Sequence, residues 1–435
     1  MDHPQKTPHG DGRGPRLPAR IQLAGRTVDL GAVRDNPVSY ARLFERARSE
    51  VGHALCLCRP TWRLRLVIRA TRSGRYHVAG WPGEGDQHLA RCPFHKIAPS
   101  LTGRSGYASE AIKESGVGTS IRFAAPLRRQ LEAPTPGRAP RASEAPAGPS
   151  RRAVGLLGLL HWLWEEARLT SWEPGESVTW RDCHAGLEMQ VDTCSINGQP
   201  AASALHIVPP FRPENAVRNE TELAAFEERL GRRGSSEYRG LILGEARAVE
   251  PTQFGVRISL AHQRRPLFAS AALAERVRRS HPHVFSDAAG PSARRIALAL
   301  VDRHPKGYLT VSNMALMLTN GSYIPADSSY EVRMADHLIA ARRPFTKPLR
   351  YDAANEDVFP DFVLRDTDPA TYVEVYGVRG REEYERRKRV KQRYYRDHGI
   401  PVIEWDVAAE IPDVQSPGPR RSGSLRTASA SPRTP

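Results

Sequence analysis

The spacing of apolar and polar positions predicts several elements before any chemistry is considered. RIQLAGRTVDL (20–30) alternates about Gly25 and predicts two short paired strands. WRLRLVIRA (62–70) and the return through GRYHVAG (74–80) predict a hairpin. From 152 to 169 apolar residues wrap much of a helical circumference, so this helix is expected to be buried. Residues 238–243 and 255–260 read as strands, and 268–280 as a helix. Residues 295–302 and 308–318 read as strands about the turn HPKG, with an apolar helix as the alternative for either. Further on come a helix at 329–342, capped by Ser328 or Ser329, and strands at 358–366 and 371–377 joined by TDPA. A helix at 382–397, ended by Gly399, and a strand at 400–405 complete the order.

Composition divides this pattern. Residues 1–19 and 407–435 have the make-up of disordered tails, the latter basic, and 131–152 is an Ala/Pro-rich linker. The expected units are therefore an N-terminal module at 20–130, a mixed α+β middle domain at 153–321 and a C-terminal domain at 322–406. The net charge of +16 favours polyanionic partners. No apolar run is long enough to span a bilayer and no apolar secretory segment opens the chain, so a cytoplasmic protein with no membrane partner is expected. Five scattered cysteines do not suggest a disulfide framework.

The C-terminal region carries the clearest chemistry. In the second strand Tyr372, Glu374 and Tyr376 share one face, so Glu374 is a carboxylate in an apolar strand, costly unless paired or metal-bound. Asp361 follows Pro360 on the neighbouring strand, and two adjacent strands can aim both acids at one hard cation such as Mg²⁺. Glu331, on the preceding helix, offers a third carboxylate. Tyr384, Lys388, Lys391 and Tyr395 fall on one face of the following helix. This ordered set resembles the PD-(D/E)XK, restriction-endonuclease-like nucleases. Pro360-Asp361 matches the Pro-Asp pair and Glu374 the second acid. The usual lysine place holds Tyr376, and the resemblance is to members whose lysine sits on the next helix. It implies Lys391 first and Lys388 second as the catalytic lysine, Glu331 as the helix-borne acid, and Mg²⁺-dependent hydrolysis of DNA.

A second constellation lies near the N-terminus. Cys56 and Cys58 precede the predicted hairpin, and Cys92 and His95 follow it, the logic of a zinc ribbon. His88, His77 and the more remote His53 are rival fourth ligands. Zn²⁺ there is expected to be structural, and the surrounding arginines offer a nucleic-acid surface, with Trp62, Tyr76 and Trp81 read either as stacking residues or as core and edge packing, the second being the ordinary case. The three N-terminal cysteines, LLGLLHWLWEEARLTSW and the PD/EVYG region together resemble an uncharacterised bacterial family. That resemblance implies association with mobile or conjugative elements and with their proteins. In the middle region Cys183, His184 and Cys194 have no standard metal spacing, and no phosphate loop is present. The expectation is a Mg²⁺-dependent DNA endonuclease with a zinc-ribbon-like accessory module. The alternatives are an inactive nucleic-acid-binding protein, with both lysines turned from the acids, and a scaffold of a DNA-transfer assembly, with exposed and separated carboxylates.

Overall fold

A computed structural model of the chain describes residues 19–131, 152–349, 359–377 and 382–415, apart from 73, 99–100, 108–109 and 117. It is a mixed α/β structure of several sheets. The expected tail before residue 19 and nearly all of the linker lie outside the described residues. The expected C-terminal tail is ordered at its start: Val414 is buried and its carbonyl accepts from Arg343, while the Pro412 carbonyl meets His337 at 3.0 Å.

The N-terminal module is a five-stranded antiparallel sheet rather than a two-stranded ribbon. Its strands are ordered Arg26–Asp29, Arg20–Leu23, Ala54–Cys56, Leu64–Ala70 and Tyr76–Gly80. The first hairpin turns at Ala24 and Gly25, with φ of 45° and 80°. Paired left-handed residues give the turn whose twist matches two antiparallel strands, and glycine meets that need without a Cβ penalty. Alternation sends Leu64, Leu66 and Ile68 inward while Arg63 and Arg65 stay exposed.

The helix Leu156–Glu166 is buried on nearly every side, as its apolar circumference requires. It packs on a central sheet whose longest strands are Gly240–Thr252, Arg294–Arg303 and Leu309–Thr319. Both faces of this sheet are covered: Leu241, Leu243, Leu298 and Leu300 face the helix, while Ile242, Ala299 and Val301 enter a second core. Two-sided burial explains the unbroken apolar runs IALALV and MALML, which left a helix open as a reading.

The C-terminal sheet has five strands, ordered Val402–Asp406, Tyr372–Tyr376, Phe362–Leu364, Phe345–Thr346 and Ser171–Trp172. The first pair is parallel and the others antiparallel. Strand pairing crosses the boundaries drawn from composition. Ser171–Trp172 completes the C-terminal sheet from the middle region, Pro325–Ala326 joins the central sheet, and Thr119–Ile121 pairs with Cys194–Ile196. Composition does not report which short edges find partners.

Candidate active site and metal centre

Asp361, just ahead of the strand Phe362–Leu364, bonds across to its neighbour. Its backbone N–H donates to the Val373 carbonyl at 3.1 Å, and its Oδ2 accepts from the Val375 N–H at 2.8 Å. The Asp361 carboxylate is thus held beside Glu374, the residue between those two partners. Glu374 is 1 % exposed. The helix Glu382–Asp397 closes over it. Lys391 Nζ donates to Glu374 Oε2 at 2.8 Å, to Oε1 at 3.1 Å and to the Phe359 carbonyl at 2.7 Å, and the Tyr395 hydroxyl donates to Oε1. Burial, then repulsion from Asp361, pushes the Glu374 carboxyl up to about 7 against the pull of Lys391.

Lys388 points elsewhere. It lies over the Tyr376 ring, 4.3 Å from the centroid, and 3.9 Å from Asp406. Tyr376, in the usual lysine place, donates its hydroxyl to Glu404 at 3.0 Å. Tyr384, Lys388, Lys391 and Tyr395 all meet the strand Tyr372–Tyr376 or its end, the Tyr384 hydroxyl accepting from the Gly377 N–H at 3.1 Å.

Glu331 lies in the first turn of Ser329–Ala340, where the Ser328 hydroxyl accepts from its N–H at 3.1 Å. Its Oε2 accepts from Lys347 at 2.7 Å and from the Asp327 N–H at 3.0 Å. Burial pushes Glu331 up to about 7; Lys347 opposes this, and Asp361 and Asp327 add to it. Lys347, itself buried, was not singled out from the sequence. It follows the two-residue strand Phe345–Thr346, too short for a period to register, and lies in RRPFTKPLR, where no local pattern marks it for burial. Glu331, Asp361 and Glu374 are neighbours electrostatically but do not close into a compact trio: no three of their kind bring ligand atoms within 4.8 Å of one another among the described residues.

The cysteines do form such a group. Cys56, Cys58, Cys92 and His88 place all four ligand atoms within 4.8 Å of one another. Cys56 Sγ is 3.6 Å from Cys92 Sγ, and His88 Nδ1 is 3.4 Å from Cys58 Sγ and 3.5 Å from Cys92 Sγ. Tetrahedral zinc with bonds of ~2.0–2.3 Å separates its ligands by roughly 3.3–3.8 Å, so the spacing and the donor set fit a metal ion. The histidine is His88, not the expected His95. The short helix Gly85–Gln87 and the turn closed by Cys92 N–H to the Leu89 carbonyl (2.7 Å) bring His88 in beside the thiols. His95 lies close by but outside the group, its imidazole driven down to about 4 by burial and by Arg365. His77 is buried on the hairpin and His53 packs edge-on against Trp81, neither within the group. Cys183 and His184 are on the helix Trp180–Val191, not on a strand, and join no such group with Cys194.

The two centres are physically tied. Arg365, buried and placed one residue after the strand that follows Asp361, donates Nε to the Ala90 carbonyl at 2.7 Å, between His88 and Cys92. It also pairs with Glu173 at 2.8 Å, which Arg91 approaches at 3.7 Å. A cleft of about 1010 Å³ runs past this junction; Lys347 and Arg365 are on its wall, but Asp361 and Glu374 are not.

The family model for "Protein of unknown function (DUF1173)" matches residues 28–408, across both centres. The chain belongs to the DUF1173 family. No curated protein and no solved structure matches it. Among the described residues no helix of this DUF1173 chain is long and apolar enough to cross a membrane.

Proposed function

We propose that this DUF1173 protein is a metal-dependent nuclease of the restriction-endonuclease type that hydrolyses DNA phosphodiester bonds. The observation that carries the reading is the convergence of Lys391 on buried Glu374, beside Asp361, across a helix-to-strand interface. Crowded buried carboxylates with raised pKa values are relieved by a divalent cation, and an all-oxygen donor set suits Mg²⁺. Asp361 and Glu374 would hold it, with Glu331 assisting. Mg²⁺ bound there supplies charge neutralisation for the phosphate and a more acidic water. Lys391 would orient an attacking water or offset charge on the scissile phosphate, while Tyr395 fixes the Glu374 rotamer. Cys56, Cys58, Cys92 and His88 hold Zn²⁺ as a structural ion. Work in the cytoplasm on the DNA of a mobile element, beside its other proteins, is the setting the sequence resemblance suggests.

The non-catalytic reading expected both lysines turned from the acids; only Lys388 is. The scaffold reading expected exposed carboxylates, whereas Asp361 and Glu374 are buried. The test is cleavage of single- and double-stranded DNA by the purified chain with and without Mg²⁺, beside Asp361→Asn. Expected is Mg²⁺-dependent cleavage abolished in the variant at unchanged circular dichroism. Cleavage that persists in Asp361→Asn, or none on any DNA with a divalent ion present, removes the proposal.

A further inference from the structure

Five strands of the middle region close into a ring. Gly240–Thr252 pairs along its first half with Arg294–Arg303 and along its second half with Gly255–Leu260, changing partner near an irregularity at Ala246/Ala248. Gly255–Leu260 pairs with Leu267–Ala269, which runs parallel to Leu309–Thr319, and Leu309–Thr319 pairs back with Arg294–Arg303. In chain order the ring passes from first strand to second to third, then fifth, fourth and back to first. The helix Ala271–Ser280 lies between third and fourth. That is the strand order of an OB-type barrel, an architecture whose second and third strands and adjoining loops are free to meet an extended polymer.

The residues on the ring suit one polymer. The outer surface of the first and fourth strands is covered by the helix Leu156–Glu166, through Leu241, Leu243, Leu298 and Leu300. On the second and third strands the outward residues differ. Arg257, Phe268 and Thr310 form one register row across three strands, and Arg257 is exposed, with only a loose 3.6 Å pair to Glu250. In the loop between first and second strands Phe254 is 87 % exposed. In the loop between fourth and fifth strands His304 stacks on Tyr308, with centroids 4.2 Å apart, and Tyr308 meets Phe268 edge-on at 5.3 Å. Lys306 is exposed in the same loop. Residues 240–319 contain eleven Lys/Arg against five Asp/Glu, so the region is cationic while the acid-bearing C-terminal region is near balance. Aromatic rings interleaved with cations, here Phe254 and Tyr308 exposed and Phe268 half-buried, are what an unpaired strand needs: bases stack on the rings and phosphates meet the cations. A duplex hides its base faces and cannot use them.

We infer that this face binds single-stranded DNA, with bases stacking on Phe254, Phe268 and Tyr308 and the backbone against Arg257 and Lys306. The site shares no residue with the acid centre and needs no metal, so it goes beyond the nuclease reading. The test is fluorescence anisotropy of a labelled oligothymidylate, about 16 nucleotides long to cover one such barrel, with the full chain and no divalent ion. Phe254→Ala and Tyr308→Ala, both at exposed sites, are each expected to weaken binding by roughly 5- to 100-fold, with circular dichroism unchanged. Affinity is expected to fall steeply with salt. Binding is read without a divalent ion, where the proposed cleavage does not run, so failure of this site and failure of the nuclease reading are separable. Undiminished binding in both aromatic variants overturns the inference, as does a duplex bound as tightly as the oligothymidylate.

Discussion

Lys391 reaches from the middle of its helix to both carboxylate oxygens of Glu374, at 2.8 and 3.1 Å, and ties them to the Phe359 carbonyl near Asp361. Lys388, three residues earlier, is spent on the Tyr376 ring. The two lysines should therefore separate kinetically. Lys391→Met is expected to slow Mg²⁺-dependent cleavage by roughly 10²-fold or more, the scale of a positioned charged or proton-transferring group. Lys388→Met should change it by a few-fold at most. Equal losses in initial-rate measurements would mean that the contact with Glu374 has no catalytic meaning.

The same burial predicts an inverted pH dependence of stability. Glu374 and Glu331 are both raised from the ordinary 4.5 to about 7 in the folded chain. Between those values the folded state holds more protons than the unfolded state, so stability falls as pH rises through the window. Without divalent ions, thermal midpoints should decline from about pH 5 to about pH 7, through these two groups, and Glu374→Gln should flatten the decline. Mg²⁺ should restore stability most at the upper end, where both acids are charged. A midpoint that rises across the window in wild type and variant alike would refute the coupling.

Much of this C-terminal geometry was legible because it is periodic. Alternation put Tyr372, Glu374 and Tyr376 on one strand face, and the four-three-four spacing put Tyr384, Lys388, Lys391 and Tyr395 on one helix face; the structure presses those faces together. What stayed hidden has no period. Two-residue strands such as Ser171–Trp172 and Phe345–Thr346 exist only through their partners. The C-x₂-H spacing points to His95, whereas the turn that brings in His88 is defined only in the folded chain. The helix Trp180–Val191 left a local signal, Thr179 and Asp182 as a capping box, that was not used.

The Ala90–Arg365 contact predicts that metal at the cysteines steadies the acid centre. Chelation of the Cys56/Cys58/Cys92/His88 group should raise amide hydrogen exchange not only in 54–92 but also in 361–375. Arg365→Met should loosen 361–375 while leaving bound zinc near one ion per chain. Cys92→Ser should lose the zinc. Exchange confined to 54–92 after chelation would show that the two centres share a contact but no stability.

Lys347 offers the sharpest energetic test. Its side chain is 2 % exposed and its ammonium is held by Glu331 at 2.7 Å and Asp327 at 3.0 Å. Removing one partner of a buried pair strands the other charge, at a typical cost of about 3–5 kcal/mol. Lys347→Met should approach the lower end, because Asp327 is partly exposed and can be hydrated, while Glu331 can take up a proton instead. That escape depends on pH. With Lys347 gone the Glu331 carboxyl loses its main pull downward and keeps the smaller one from the Asp327 N–H, so the loss should be larger at pH 8 than at pH 6. Glu331→Gln in the Lys347→Met background should recover part of the stability, because a neutral amide carries no stranded charge. Denaturant midpoints of the two single variants and the double variant at both pH values measure this directly. Strictly additive losses would show that the pair is not coupled and that Lys347 has no hold on the Glu331 carboxyl.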